Sequence, residues 1–156
     1  MKLEIPVTGL YEAHLPVSDL HRSVAFYRDV LGLEQALEVP DRNAVFFWVG
    51  GRQEAMLALW SIGTAPFAVS VHVAFNAPLD DVISSPARLE ACGITPLSFF
   101  GRPTDEATVI GWMPAVSVFF RDPDNHLLEY LAVLDDEPRP DLGFVPWSTW
   151  VAAHGE

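Results

Sequence analysis

The stretch AHLPVSDLHRSVAFYRDVLGL, from Ala13 to Leu33, predicts a strand and a capped helix in immediate succession. A short strand is expected over Leu10 to Leu15, and Ser18 or Asp19 then supplies a side chain suited to cap a helix. The helix should bury one face, since four apolar residues recur at helical spacing: Leu20, Val24, Tyr27 and Leu31.

Beyond Gly32, which is expected to end this helix, the chain is rich in residues that favour strands. Two strands are predicted over Ala44 to Val49 and Ala55 to Ile62, joined by a hairpin turn at Gly50-Gly51-Arg52-Gln53. A further strand is predicted over Glu34 to Val39. The first half of the chain therefore predicts the order β-α-β-β, with the strand over Glu34 to Val39 as an addition.

The second half repeats this order, beginning with a strand over Val69 to Phe75 that has His72 at its centre. A helical stretch follows from Pro78 to Gly93. Pro86 is expected to bend or split it, with Ser84 or Ser85 capping the second piece.

Two more strands are predicted over Ala115 to Phe120 and Leu127 to Val133, around a turn at Asp122-Pro123-Asp124-Asn125. The hairpins of the two halves have similar lengths, and each begins with Val-Phe-Phe, which indicates an internal duplication. We therefore predict an α+β fold with modules at 8–66 and 67–134. Residues 135–156, rich in proline and acids and containing Trp147 and Trp150, should form an arm over the body or a partner chain.

Composition limits the range of functions. Half of the 156 residues are apolar and 12% are aromatic, as expected of a chain with a packed core. The net charge of −12 and the scattering of only nine Lys and Arg residues argue against nucleic-acid binding.

The sequence also predicts a cytoplasmic protein. The apolar runs are much shorter than the ~20 residues that a membrane span needs, and the amino terminus lacks a secretory pattern. Cys92, as the single cysteine, cannot form an internal disulfide and is expected to be buried by the second helix.

Three residues on the predicted strands could bind a metal ion. His14 and His72 are placed by the repeat at equivalent positions, and Glu129 lies within the apolar run Leu127 to Leu131. Two imidazoles and a carboxylate suit one divalent first-row metal ion, with other positions left for water or substrate. The competing interpretation is that the histidines are hydrogen-bonded core residues and that Glu129 faces solvent.

The chain resembles the vicinal oxygen chelate superfamily, which includes glyoxalase I, fosfomycin-resistance thiol transferases, extradiol dioxygenases and bleomycin-resistance proteins. The resemblance covers about residues 8 to 134. It is carried by His72 and by three segments: 13–20 (AHLPVSDL), 23–33 (SVAFYRDVLGL) and 120–129 (FRDPDNHLLE).

The resemblance implies two βαβββ modules whose curved mixed sheets form a cleft around a metal site, with His14, His72 and Glu129 as ligands. In glyoxalase I a further glutamate ligand comes from the last strand of the first module. Met56 or Ala58 is expected at that place, and neither ligates well. Glu54 has the same parity but lies in the turn, as a remote substitute.

Three ligands are closer to the fosfomycin transferases and dioxygenases, but residues that would bind fosfomycin are missing. Pro16 stands where those enzymes have a threonine, and Phe119 replaces a tyrosine that contacts the phosphonate. Residues 101–114 have no recognisable counterpart of the potassium-binding loop. Fosfomycin is therefore not the expected substrate.

Other residues are candidates for the pocket wall or for the surface. The aromatic candidates are Phe47, Trp60, Phe99, Trp112 and Phe119, each of which could equally be ordinary core. Arg102 could meet an anionic substrate or simply be solvated. Surface roles are expected for His21 and His126.

The resemblance implies a metal-dependent enzyme acting on a small substrate that chelates the ion through vicinal oxygens, of the lyase, isomerase or thiol transferase type. Glu129 could also serve as the catalytic base. The ion would be Zn, Ni, Mn or Fe. The alternatives are an extradiol-type dioxygenase and a non-catalytic binding protein of the bleomycin-resistance kind. A homodimer is expected, without nucleic-acid or membrane partners.

Overall fold

The protein has two compact units, Met1–Val69 and Ser70–Glu156, and the computed structural model describes residues 9–61 and 70–154. Unit 1 contains β1 (Glu12–Val17), α1 (Leu20–Ala25), β2 (Gln35–Val39), β3 (Ala44–Val49) and β4 (Ala55–Ser61). Unit 2 contains β5 (His72–Asn76), α2 (Leu79–Ala91), β6 (Thr108–Ile110), β7 (Ala115–Arg121), β8 (Leu127–Val133), β9 (Phe144–Pro146) and α3 (Trp147–His154). The predicted strand positions Ile62 and Val69 lie outside the described residues.

The two units share one sheet topology, which confirms the predicted α+β class. Unit 1 has the strand order β1-β4-β3-β2, and unit 2 has β5-β8-β7-β6 with β9 added at the edge. In each unit the first and last module strands are parallel neighbours, while the other pairs are antiparallel. Both sheets are therefore mixed, and each module places its first strand at the sheet edge beside its last strand.

One face of each sheet packs against its helix. In unit 1, Tyr27 is fully buried and its ring lies 6.1 Å from that of Phe47 on β3. In unit 2, α2 contacts β7 and β8 and buries Val82 and Leu89. Because strand side chains alternate between faces, every second residue of each strand lies on the face that does not pack on the helix.

The first helix departs from the predicted regular helix. Asp19 caps it as predicted, accepting a hydrogen bond from the Arg22 amide at 3.0 Å. From Phe26 to Val30 the chain forms a π-helical turn, with the Leu31 amide bonded to the Phe26 carbonyl at 3.1 Å. Of the four residues on the predicted apolar face, Tyr27 alone is fully buried, and Leu31, just beyond the wider turn, is partly exposed.

Of the two effects expected of Pro86, a bend or a split of the second helix, the split does not occur. A proline at this position has no amide hydrogen for the Val82 carbonyl. The Ser85 hydroxyl donates to that carbonyl instead, at 2.8 Å, and α2 remains one helix. Ser84 also bonds backwards within the helix, to the Asp80 carbonyl at 2.8 Å, and so it does not cap a second piece.

Cys92 is also not buried as predicted. It lies just beyond α2, at the C-cap, and is exposed. The apolar face that should have covered it ends at Leu89, which is the last buried residue of the helix.

The C-terminal segment is part of the second sheet. β9 pairs antiparallel with β6, and Trp150 of α3 is buried with its indole N–H donating to Asp136 at 2.7 Å. Gly111 makes this return possible, because a Cβ at that position would overlap the Arg139 carbonyl oxygen. The described helices are all too short to span a bilayer.

The Ser85 hydrogen bond gives a test of this account of α2. Ser85→Ala should lower the free energy of unfolding by about 1 kcal/mol, because the buried Val82 carbonyl loses its donor. In a Pro86→Ala background the cost should shrink, since the alanine introduced there provides an amide hydrogen for the same carbonyl. Urea denaturation of the four proteins measures the difference in the free energy of unfolding, and Ser84→Ala, at an exposed position, is the control. If Ser85→Ala costs the same in both backgrounds, the Ser85 hydroxyl does not stand in for the missing amide hydrogen.

Candidate metal centre

Glu129 is a buried carboxylate with a partner for each oxygen. It lies in the middle of β8, opposite Phe119 of β7, and is 4% exposed. The Ser117 hydroxyl donates to Oε1 at 2.5 Å, and His72 Nε2 lies 2.9 Å from Oε2. Because a buried unpaired carboxylate is costly, Ser117 and His72 explain how Glu129 is tolerated in an apolar strand.

His72 lies at the edge of the second sheet, where β5 begins. Its side chain is 49% exposed, and its ring centroid lies 5.9 Å from that of Phe119. The preceding residue, Val71, accepts from the Leu127 amide at 2.8 Å and donates its own amide to His126 Nδ1 at 3.2 Å. The start of β5, and with it His72, is therefore held on both sides.

The surface role expected for His126 is wrong, because its side chain is fully buried. The turn before β8 folds back so that the His126 amide donates to Asp122 Oδ1 at 2.8 Å, and the ring faces the backbone of Val71. If the ring is neutral, accepting at Nδ1 places its proton on Nε2. His126 is thus a residue that positions the strand of His72. His21 is exposed, as expected.

His14 lies on β1 of unit 1 among aromatic side chains. Its ring stacks on Trp60 with centroids 5.5 Å apart and meets the edge of Phe46 at 5.9 Å. His14 Nε2 lies 3.0 Å from Oε1 of Glu12, two residues earlier on the same strand face. Unit 1 therefore also contains one imidazole paired with one carboxylate.

Trp60 carries an unsatisfied donor beside this pair. Its indole Nε1 is buried and has no hydrogen-bond partner within the described part of the chain. Buried polar groups are normally hydrogen-bonded, so an unpaired N–H next to His14 is a feature that a bound oxygen atom would satisfy.

The strand registers of the two units can be compared by aligning the Val-Phe-Phe segments of their hairpins. In this alignment Phe46 corresponds to Phe119, as the middle residue of each segment, and the counterparts that follow are those of this alignment. Phe46 pairs with Ala58, and Phe119 pairs with Glu129.

The neighbouring pairs complete the comparison. His14 lies beside Ala58, and Glu129 lies beside Ala74, so Ala74 is the counterpart of His14. Two residues earlier, Glu12 lies beside Met56, and His72 lies beside Leu127. Glu12 is therefore the counterpart of His72, and Ala58, rather than Met56, is the counterpart of Glu129. Glu54 is exposed in the turn before β4.

The predicted wall residues lie in different environments. Phe119 is buried beside His72. The ring centroid of Phe99 lies 6.1 Å from that of Phe119 and 3.6 Å from that of Phe144, on which it stacks. Trp60 contacts His14. Phe47 is fully buried on the helix-facing side of its sheet, and it is Phe46 that shares the face of His14.

The two remaining candidates are exposed. Trp112 lies in the turn between β6 and β7 and is 61% exposed, and Arg102 lies in the loop before β6. A role in substrate binding stays a prediction for each of the six residues.

Three residues in or beside the two histidine–carboxylate pairs were not predicted from the sequence. Ser117 is the only polar residue of the buried β7 run Ala115 to Phe120, and it lies on the face of Phe119, which is a signal that could have identified it. Glu12 shares the parity of His14 on the first strand. Phe46 was not predicted, because the segment Val-Phe-Phe does not by itself indicate which of its two phenylalanines faces the helix.

Tyr130, next to Glu129, does not belong to the site. It faces the other side of β8, with its ring 4.9 Å from Phe120 and 6.4 Å from Phe75. Burial raises the pKa of its phenol above the ordinary value. Tyr130 is therefore an apolar-side packing residue rather than a base for chemistry at Glu129.

The donor atoms fit a divalent metal ion. Two ligands at about 2.1 Å from an ion and at a right angle to each other are about 3.0 Å apart, which is close to the His72–Glu129 separation of 2.9 Å. Within either unit taken by itself, the described residues form no group of three His, Cys, Asp or Glu side chains suited to an ion. The pair of one unit is therefore not by itself a complete metal site.

Two consecutive modules that share one strand and helix order define the class of fold to which the chain belongs. A family model for the Glyoxalase/Bleomycin resistance protein/Dioxygenase superfamily matches residues 9–130, and the chain belongs to this superfamily.

Individual relatives differ in activity. The chain is 30% identical over 124 residues to metallothiol transferase FosB of Shouchella clausii (strain KSM-K16), covering 79% of each protein. It is 28% identical to the crystal structure of lactoylglutathione lyase from Agrobacterium tumefaciens, with a TM-score of 0.62 and coverage of 81% and 95%.

A third relative is the fosfomycin resistance protein FosX from Listeria monocytogenes, solved with Mn(II) and sulfate. It is 25% identical, with a TM-score of 0.59 and coverage of 83% and 94%. The family and the fold are thus established, while relatives with several activities are about equally similar.

Ser117 is expected to stabilise Glu129 specifically. Ser117→Ala should lower the free energy of unfolding by about 1–3 kcal/mol, because the buried carboxylate loses a donor. In a Glu129→Gln background the cost should be smaller, since a neutral amide is less costly to leave unpaired. Denaturation of the four proteins tests the coupling; strictly additive effects would show that the hydroxyl acts independently of the carboxylate.

Proposed function

We propose that the protein is a metal-dependent enzyme that binds one divalent ion through His14, His72 and Glu129. Its substrate is a small molecule that chelates the ion through two neighbouring oxygens. The reaction is of the lyase, isomerase or thiol transferase type, and the ion is Zn, Ni, Mn or Fe.

The observation that carries this proposal is the His72–Glu129 pair. A carboxylate that is 4% exposed and held by Ser117 is kept in one orientation, and its second oxygen is directed at an imidazole that is half exposed. Rigid ligands with fixed outer partners are what metal sites require. His14, half exposed on the corresponding face of unit 1, supplies the second imidazole.

A bound divalent ion would act as a Lewis acid that stabilises negative charge developing on the substrate oxygens. The chain itself contributes ligands, an apolar surround and a base. Phe119 and Phe99 near His72, and Trp60 and Phe46 near His14, provide the apolar surround. Glu129 is also proposed as the base, since a carboxylate is one of the side-chain groups that transfer protons in catalysis.

The relatives support the enzyme class without deciding between reactions. FosB is named a metallothiol transferase, FosX was solved with Mn(II), and a lactoylglutathione lyase has the same fold. An extradiol-type dioxygenase remains the alternative with the same ligand types. A panel of vicinal diols, hydroxy acids and thiohemiacetals, tested on the Co(II)-loaded protein, would identify the chelating class through changes in the visible spectrum.

A binding protein without catalysis is the second candidate, and the charge of −12 favours it for a cationic ligand. Such a protein has no need of an aligned His72–Glu129 pair. Metal content therefore separates the two candidates.

We predict that protein purified without a chelator or an affinity tag binds about one divalent ion per chain. His72→Ala and Glu129→Ala should each abolish binding, because each removes a direct ligand. Elemental analysis and calorimetric titration with Zn(II), Ni(II) and Mn(II) measure the change. His21→Ala, on the exposed face of α1, is the matched control and should bind like the unmodified protein.

Less than about a tenth of an equivalent of metal, with no uptake on titration, would contradict the metalloenzyme proposal. A folded Glu129→Ala variant with unchanged affinity would also contradict it. Circular dichroism of each variant confirms that loss of binding is not loss of the fold.

We also propose a homodimer in which chains share the site, and mixing of variants tests it. If unit 1 of one chain joins unit 2 of the other, a refolded mixture of His14→Ala and Glu129→Ala chains should regain about a quarter of the sites, because half of the dimers are mixed and each has one intact site. Calorimetry measures the sites, and light scattering measures the mass. A monomer at working concentration would overturn the dimer. If the mixture regains no sites, each metal site lies within one chain.

A further inference from the structure

A cavity of about 220 Å³ lies at the edge of the second sheet, between β9 and the loop that precedes β6. The residues that line it come from the segment 98–108 and from β9. β9 lies beyond residues 9–130, which the superfamily model matches, so the C-terminal segment builds this cavity onto the module. His72, Ser117 and Glu129 do not line it, and it is therefore distinct from the candidate metal centre.

Two aromatic rings form the apolar part of the cavity wall. Phe144 stacks on Phe99 with ring centroids 3.6 Å apart, and Phe100 meets Phe144 edge-on at 6.0 Å. Phe100 and Phe144 both line the cavity, and Phe100 is 67% exposed. Because covering an exposed aromatic ring is favourable, an apolar group that enters the cavity is stabilised by these rings.

The charged groups of the wall are all acidic. Asp105 and Glu106 line the cavity, and none of its described lining residues is Lys, Arg or His. Glu106 Oε1 accepts from the Ser148 amide at the start of α3. Asp105 is exposed and has neither an ion-pair nor a hydrogen-bond partner in the part of the chain that the structure describes. The negative charge of this wall favours a cation.

Thr108 gives an indication of a ligand that is independent of the carboxylates. It is 7% exposed and lines the cavity beside Pro146, its cross-strand partner on β9. Its hydroxyl has no hydrogen-bond partner within residues 9–61 and 70–154. Because buried polar groups are normally hydrogen-bonded, this hydroxyl is a group that a donor in the cavity would satisfy.

An ordinary cleft between a loop and a sheet edge is the competing explanation. It accounts for Glu106, which accepts from the first turn of α3, and for Thr104, whose hydroxyl bonds to the backbone of Glu106. It leaves unexplained why a buried hydroxyl, an unpaired carboxylate and an exposed phenylalanine line the same small cavity.

We propose that this cavity binds a small organic ammonium ion, namely a protonated primary amine on a compact apolar body. The ammonium group donates hydrogen bonds to the Asp105 carboxylate and to the Thr108 hydroxyl, and the apolar body packs on Phe100 and Phe144. The inference goes beyond the proposed function and does not depend on it, because none of these residues is a proposed metal ligand.

The first test compares three ligands of similar shape on the full chain in the presence of EDTA, so that the amine cannot bind a metal ion. Benzylamine, which is protonated at pH 7, should bind at least about fivefold more tightly than neutral benzyl alcohol, and benzoate should not bind. Titrations followed by two-dimensional NMR measure the affinities, and the amide signals of Thr108 and Val145 should shift. Equal affinities for the amine and the alcohol, or shifts confined to other residues, would overturn the inference.

The second test removes the charge and keeps the shape. Asp105→Asn should lower the affinity for benzylamine by about fivefold and leave that for benzyl alcohol within about twofold. Thr108→Val should also weaken benzylamine binding, because the ammonium loses an acceptor. Asp135→Asn, at an exposed position outside the cavity, is the control and should change neither affinity.

Unchanged benzylamine affinity in Asp105→Asn would show that the ligand does not contact this carboxylate, and the inference would fail. Circular dichroism confirms that each variant is folded. The outcome is separate from that of the metal titrations: a chain that takes up no metal but binds benzylamine through Asp105 would contradict the metalloenzyme proposal and support this one.

Discussion

The chemistry of unit 2 depends on one constraint, which is that a carboxylate buried in an apolar strand must have partners. Glu129 satisfies this constraint with Ser117 on one oxygen and His72 on the other. Neither partner is adjacent to it in the sequence, and each comes from a strand that pairs directly with β8. The three-strand arrangement β5-β8-β7 is therefore the smallest structure that holds this carboxylate.

The topology supplies that arrangement twice. Since each module places its first and last strands side by side in parallel, residues that are distant in sequence become neighbours at the sheet edge. Alternation then assigns one face to the helix and the other to the histidines and their carboxylate partners. Tyr27 and Phe47 lie on the helix face of unit 1, whereas His14 and Trp60 lie on the opposite face.

Much of the fold was predictable because strand alternation and turn residues are local signals. The hairpins and the cap at Asp19 were confirmed, and so was the repeat. The errors involve side-chain hydrogen bonds to the backbone, one within a helix and one between distant segments, that override a local preference. Ser85 compensates for Pro86 within α2, and the backbone of Val71 recruits His126 into the interior. Neither compensation is visible in a pattern of residue types.

For the site, the sequence predicted residue types more readily than exact positions. A register difference of two residues preserves the face of a strand. His14 therefore lies on the predicted face of β1, although Ala74 is its counterpart when the Val-Phe-Phe segments are aligned. A difference of one residue reverses the face, which is why the sequence predicts Phe47 at a place where the structure has Phe46. Relatives that share this fold at 25–30% identity include a thiol transferase and a lyase. Because one face of each sheet packs on its helix, the other face is where side chains can change without loss of the fold, and these are the residues whose positions depend most on exact register.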